Sequence, residues 1–410
     1  MKRFFTLLVL SALVIGLLTM PATAEQTTLS FLSWQNETVM QPIIDAFQAA
    51  NPDIKIDFIY APPVNDYLQK FRMMVTSGEL PDIFVTCAEN KAEVMDNNLA
   101  KDLSSMAVMS RLSNANKNTY TASNGSVVAF APDAWIAGIF YNEKLLSDNS
   151  ISVPANYKEY MDSMAKLKAA GVQPWVFHKG NLYDPLQGYV ATETIAKDAS
   201  FDAKANAGEL KYADGWSKPL ELWNNDYVKN GYIPEESLGL DGDQALDAFI
   251  NGHAAYTIGA TWVVSTIDQK NPDMKYGMLP WFGVDSDEKW CTGAAGVGWS
   301  INSASKHPDE AQKFLDFLAS DDTLKQFQQL TGGLLAISGI DYPMHPVIAM
   351  CKDELQSGKF YLPAVAWKYS GALGDVMLTG TQEVVMGTRD AASIAMLMDD
   401  KFAELEAASK

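Results

Sequence analysis

The chain has 410 residues, 50 acidic against 31 basic, for a net charge of −19. A surface this acidic makes nucleic acid and anionic membrane poor partners, while a neutral or a cationic small ligand remains compatible with it. Three cysteines without a Cys-x-x-Cys spacing and four scattered histidines (His178, His253, His307, His345) give little material for a zinc centre or a histidine-based mechanism, so no metal and no cofactor is expected.

Met1-Lys2-Arg3 precede an apolar run from Phe4 to Leu18, and Ala22-Thr23-Ala24 follows Pro21. Charged, apolar and small-x-small segments in that order predict a signal peptide over 1–24, cleaved before Glu25. The apolar run is short for a spanning helix, which needs about 20 residues. Residue 25 is Glu rather than Cys, so the expectation is an exported, unlipidated protein of the periplasm or cell exterior. The remaining length suits about two or three ordinary domains.

Leu29 and Phe31 alternate with polar neighbours and predict a strand. Val39, Ile43, Ile44 and Phe47 then recur at helical spacing, and Asn51-Pro52 ends that helix. Ile54, Ile56, Phe58 and Tyr60 alternate again. Tyr67, Leu68, Phe71 and Val75 mark a second helix ending at Ser77-Gly78, before a short buried strand over 80–85. Strand, helix, strand, helix, strand is the order of a doubly wound α/β unit with a mainly parallel sheet. Further strands are expected at 136–141, 254–258 and 297–301. Helices are expected at 160–170, around 246–250, from 259 to 267, over 308–319 and from 374 onward.

Open α/β sheets bind ligands beyond the carboxyl ends of their strands. Trp34 follows the first strand with Asn36 and Glu37, and a tryptophan on such a loop offers a flat apolar face and an N–H donor. Asn36 and Glu37 serve equally well as a helix cap and a favourable first-turn charge. Glu89 and Asn90 follow the third strand and suit either hydroxyl recognition or a solvated loop. Trp135, Trp175, Trp223, Trp262, Trp281, Trp299 and Trp367 recur near glycines, prolines and strand ends. Aromatic planes suit the C–H faces of sugar rings, and Asp, Asn, Glu and Gln suit the hydroxyl rims. Each single tryptophan is more often partial core. Cys291 and Cys351 are candidates for a disulfide in an oxidising compartment, with three buried thiols as the alternative.

Five ordered segments resemble the bacterial extracellular solute-binding proteins that serve sugar-import ABC transporters, the family that includes maltodextrin binders. They are Leu32-Ser33-Trp34 with 47–56; 77–84; Phe140-Tyr141-Asn142-Glu143-Lys144-Leu145-Leu146; 248–256 leading to Gly259-Ala260-Thr261-Trp262; and 311–318. The resemblance implies a two-lobed periplasmic-binding fold of the hinged, type II kind, with a doubly wound sheet in each lobe and three crossovers. One lobe would hold 25–135 and 291–333, the other 136–290 and 334–410. A sugar would be trapped between them by hinge closure and passed to membrane permease subunits by a monomeric, non-catalytic carrier. Carried over by position, the ligand contacts would be Trp34, Asn36, Glu37, Glu89, Asn90, Trp135, Trp175, Tyr183, Trp262, Gly296, Trp299 and Trp367. Asp82, Tyr141 and Asn142 match the family as structural residues. Trp135 stands where maltodextrin binders place a glutamate, which argues against that ligand.

Two rival functions fit the residues in part. A cationic solute such as a polyamine would suit the acidic charge and the aromatic residues. A secreted glycoside hydrolase needs two carboxylates at a set separation, and the sequence marks out no such pair.

Overall fold

The computed structural model describes residues 26–408; the expected signal peptide lies outside them. Eleven strands fall among the described residues: β1 (Thr27–Ser33), β2 (Ile54–Tyr60), β3 (Ile83–Thr86), β4 (Asp133–Asn142), β5 (Tyr256–Ala260), β6 (Tyr276–Leu279), β7 (Trp281–Phe282), β8 (Lys289–Ala295), β9 (Gly298–Ile301), β10 (Leu334–Leu335) and β11 (Phe360–Tyr361). They form two sheets, one in the order β2-β1-β3-β9, the other built around β10-β4-β8-β11 with β5, β6 and β7 added at its sides.

The first sheet follows the expected alternation. β2 and β3 pair with β1 in parallel, and only β9 runs antiparallel. Helix Glu37–Ala50 connects β1 to β2, starting where the Asn36 carboxamide accepts from the Thr38 N–H at 2.9 Å. Its residues Met40, Ile43, Ile44 and Phe47 are buried at i, i+3, i+4 and i+7 spacing. Helix Val64–Ser77 ends on Gly78, whose φ of +74° is the left-handed cap conformation that glycine adopts at least cost. Asp82 ties this sheet together: Oδ2 accepts from the Ser30 N–H and hydroxyl, and Oδ1 from the Ser305 hydroxyl at 2.6 Å. The core here runs from Leu29 to Ala131 and takes in Phe314, Leu315 and Phe327 from the later helices.

The second sheet differs from the parallel order expected. β4 is its spine, and β5, β6, β8 and β10 all pair with it antiparallel; only β11 runs parallel to its neighbour β8. Its core is rich in aromatics, with Trp175 stacked on Phe177 at 4.6 Å between centroids and on Trp281 at 6.4 Å. Helix Val264–Lys270 starts later than the sequence suggests, because Gly259 and Ala260 complete β5. The C-terminal stretch is two helices, Ser370–Val385 and Ala392–Ala408.

The chain passes between the sheets three times: from β3 to β4, from β8 to β9, and from β9 to β10. The three passages meet at Asp133. A Cβ on Gly296 would lie 2.1 Å from Asp133 Oδ1, so that passage comes this close to the carboxyl because it is glycine, while one on Gly333 would make a tight 3.1 Å contact with Oδ2. Burial pushes the Asp133 carboxyl up to about 7. The range 291–333 expected for one lobe opens with residues of β8, which belongs to the second sheet.

Candidate functional site

A cavity of about 470 Å³ opens over the second sheet. Its position follows from strand register. Ala137 of β4 pairs with Ala260 of β5, so continuing the antiparallel register by two residues sets Trp135 opposite Trp262. Their rings meet edge to face, centroids 5.3 Å apart and planes at 62°. Trp262 lies on the turn after β5 and is 62% exposed, while Trp135 is half-buried. Together they offer two apolar planes at a steep angle along one wall.

Polar groups line the other walls. Residues 174–177 run beside β5, with the Val176 N–H on the Tyr256 carbonyl at 3.1 Å, and deliver His178 to the cavity. Asn181 folds back to accept the His178 N–H at 2.8 Å. Burial holds the His178 imidazole below its ordinary range, against a smaller opposing effect of Asp241.

Helix Asp184–Val190 begins at the cavity edge, and its first turn carries Asp184 and Gln187. Gln187 Nε2 donates to Asp184 Oδ1 at 2.7 Å. Burial nevertheless pushes the Asp184 carboxyl up to about 7, so near neutrality it is both donor and acceptor across the population. Tyr183 beside it is raised to about 12, first by burial and then by the Asp184 charge. Thr257, Thr292 and Leu362 complete the surface around Trp135. Thr292 is oriented by the Trp281 indole N–H, 3.0 Å from its hydroxyl oxygen.

Of the residues singled out in the sequence, Trp135, Tyr183 and Trp262 line this cavity. Trp34, Asn36 and Glu89 lie on the loops after β1 and β3 of the first sheet, and Glu37 opens the helix after β1, all outside the cavity wall. Trp34 is half-buried and sits edge-on to Tyr67 at 4.7 Å. Asn36 is the cap of its helix, and Glu37 and Glu89 are exposed.

The remaining expectations need correction, for reasons of packing. Asn90 is fully buried and braces its own turn: Oδ1 accepts the Cys87 N–H at 2.8 Å and Nδ2 donates to the Val85 carbonyl at 3.1 Å. Trp175 is fully buried in the stacked aromatic core, its N–H given to the Tyr160 hydroxyl. Trp299 packs on Phe130 and Phe327, and only its N–H reaches the loop after β1, at Gln35 Oε1. Trp367 is buried against Trp216 and Tyr212. Gly296 serves the passage beside Asp133. Sequence reasoning missed His178, Asn181, Asp184 and Gln187; the one signal available was their nearness to Tyr183.

Comparison with known proteins bears on this arrangement. Residues 33–325 match the family described as bacterial extracellular solute-binding protein. The multiple sugar-binding protein of Streptococcus mutans is 24% identical over 343 residues, 79% of each chain. The melibiose/raffinose/stachyose-binding protein MelE of Bacillus subtilis is 22% identical over 355 residues, 80% of this chain and 79% of that one. A family 1 extracellular solute-binding protein from Bifidobacterium longum subsp. infantis superposes with a TM-score of 0.84 at 23% identity, covering 92% of this chain and 99% of that one. The two sheets and three passages are the two-lobed fold of periplasmic binding proteins. With the family pattern spanning most of its length, the chain belongs to the bacterial extracellular solute-binding protein family.

Proposed function

We propose that this protein is an exported, monomeric, non-catalytic carrier that captures a neutral oligosaccharide and presents it to the permease of an ABC importer. The observation that carries this reading is the Trp135–Trp262 pair standing over a wall of hydroxyl-reading groups. Stacking suits the C–H faces of sugar rings, and Asp184, Gln187, Asn181 and Thr257 suit their rims. The two angled indoles fit adjoining rings that bend about a glycosidic link better than one flat ring. The cavity volume falls within the range of about 300–1,000 Å³ typical of small-molecule sites.

The lobes in this proposal follow the sheets, one from residue 26 to about 132 with 297–333, the other from about 133 to 296 with 334–408. Every residue of the cavity wall lies in the second lobe. Closing the hinge would bring the loops holding Trp34, Gln35 and Glu89 over the open side and exclude water from the sugar. A wrong epimer would leave a buried polar group unpartnered, which is how such a site discriminates.

A polyamine would need several wall carboxylates that stay ionised, and of the two on the wall, Asp184 and Asp243, the first is only partly charged near neutral pH. The names of the relatives, as sugar-binding proteins, support the neutral ligand. The test is a panel of neutral mono- and oligosaccharides read by intrinsic tryptophan fluorescence and thermal stabilisation. A saturable shift with one linkage class is expected; no response across a broad panel, with a response to polyamines, would replace this reading.

A further inference from the structure

We propose that Cys291 and Cys351 are joined by a disulfide in the mature protein, which closes the base of the chain's excursion through the first sheet. The proposal rests on the export reading, since such bonds form in oxidising compartments.

Backbone contacts bring the two residues together. The Cys291 N–H donates to the Lys359 carbonyl at 2.9 Å, and Cys291 is in register with Phe360 of β11. Lys359 in turn donates to Glu354, and Leu355 donates to the Cys351 carbonyl at 3.1 Å. Through β11 and the turn before it, these bonds carry Cys351, at the start of helix Lys352–Ser357, alongside β8. Both side chains are fully buried in one apolar cluster with Val347, Ile348 and Leu355. The Cys351 thiol beside it and burial together raise the Cys291 thiol well above its ordinary value. Cys87 lies in the other core, its sulfur 3.4 Å from Asn90 Oδ1.

Between the two cysteines the chain leaves β8, forms β9, two helices, β10 and the short helix Pro346–Ala349, and returns. Two of the three passages between the sheets therefore lie inside the loop that the bond would close. A cross-link there would anchor both passages on the second-lobe side while leaving the lobes free to rotate.

Thiols this buried are poor nucleophiles, so the bond has to form while the chain is folding. One thiolate attacks the disulfide of an oxidising protein donor and gives a mixed disulfide. The second thiolate displaces the donor sulfur. The two thiol protons are released to solvent or to the donor, which leaves as its dithiol.

The experiment is alkylation of the full chain, secreted with its own leader and denatured with and without prior reduction. The intact mass first establishes leader removal, so that failed export is seen as such. On the processed chain, Cys87 alone is expected to be alkylated without reductant and all three cysteines after it, with a peptide linking Cys291 to Cys351. Three alkylated cysteines without reductant, or a linkage through Cys87, would overturn the proposal. Reduction of the folded protein should lower its melting temperature by several degrees, and the variant C291S/C351S should show no such dependence.

Discussion

Trp135 and Trp262 face each other across the ends of β4 and β5, their rings edge to face at 5.3 Å. The register of two antiparallel strands places them there, and the turn after β5 leaves Trp262 standing free of the core. A large indole left 62% exposed gains little from folding, which is why a ligand is the better account of it.

Trp262→Ala should therefore separate binding from stability. Sugar affinity is expected to fall tenfold or more, while the unfolding free energy stays within about 0.5 kcal/mol of the parent, as for other exposed positions. Calorimetric titration and urea unfolding on the same preparation check both halves. A variant that loses stability and keeps affinity would place Trp262 in the fold rather than the site.

Trp175→Ala should behave in the opposite way. Its ring is stacked between Phe177 and Trp281 with no exposure. Truncation leaves a cavity and is expected to cost about 3–5 kcal/mol, measured by urea unfolding. Parent-like stability with weakened sugar binding would return Trp175 to the ligand contacts.

The acid dependence of stability follows from Asp133 and Asp184. Both carboxyls are raised by burial from 3.8 to about 7. Between those values the folded chain holds protons that the unfolded chain releases, so these groups make stability fall as pH rises through that window. Below it their penalty vanishes; above it the penalty is complete, on the order of 2 kcal/mol each after allowance for partial exposure. Asp184→Asn and Asp133→Asn should each flatten the profile of melting temperature between about pH 4 and 7. Profiles parallel to the parent's would show that neither carboxyl is perturbed as described.

The passage at Gly296 makes a prediction about the hinge. An added methyl would meet Asp133 Oδ1 at 2.1 Å. Gly296→Ala should destabilise by about 1–3 kcal/mol, as overpacking does. In an Asp133→Ala background the cost should shrink, a non-additivity that a double-mutant cycle measures. Additive effects would mean that the carboxyl does not fill the notch.

Ionic strength distinguishes the neutral ligand from the cationic one. Raising salt from roughly 0.05 to 0.5 M should change sugar affinity less than about twofold, because screening acts on charge pairs. A steep loss would favour a cation held by Asp184 and Asp243, both on the cavity wall.

Local pattern made much of the fold legible. The alternation at 27–33 and 54–60 and the helical spacing at 39–47 appear as β1, β2 and the helix between them. Strand direction in the second sheet was not legible, because an alternating or apolar run looks the same whichever way its neighbour runs. For the site, Trp135 and Trp262 could be picked out as aromatics near strand ends, and Tyr183 only through the family resemblance. Trp175, Trp299 and Trp367 share that description and are core, since only tertiary packing decides which side of a strand end faces solvent. Asp184 was hidden for a related reason: with 50 acidic residues in the chain, burial alone distinguishes it, and burial is not a property of one residue's neighbours in sequence.

The central claim is that a neutral oligosaccharide sits on the Trp135–Trp262 wall of the second lobe. Calorimetric titration of the best sugar from the panel against the parent and the Trp135→Ala/Trp262→Ala variant tests it most directly. The account predicts saturable binding to the parent, at least a hundredfold weaker binding to a variant that unfolds cooperatively, and a salt effect on the parent of less than about twofold. Equal affinity of the folded variant and the parent would contradict it.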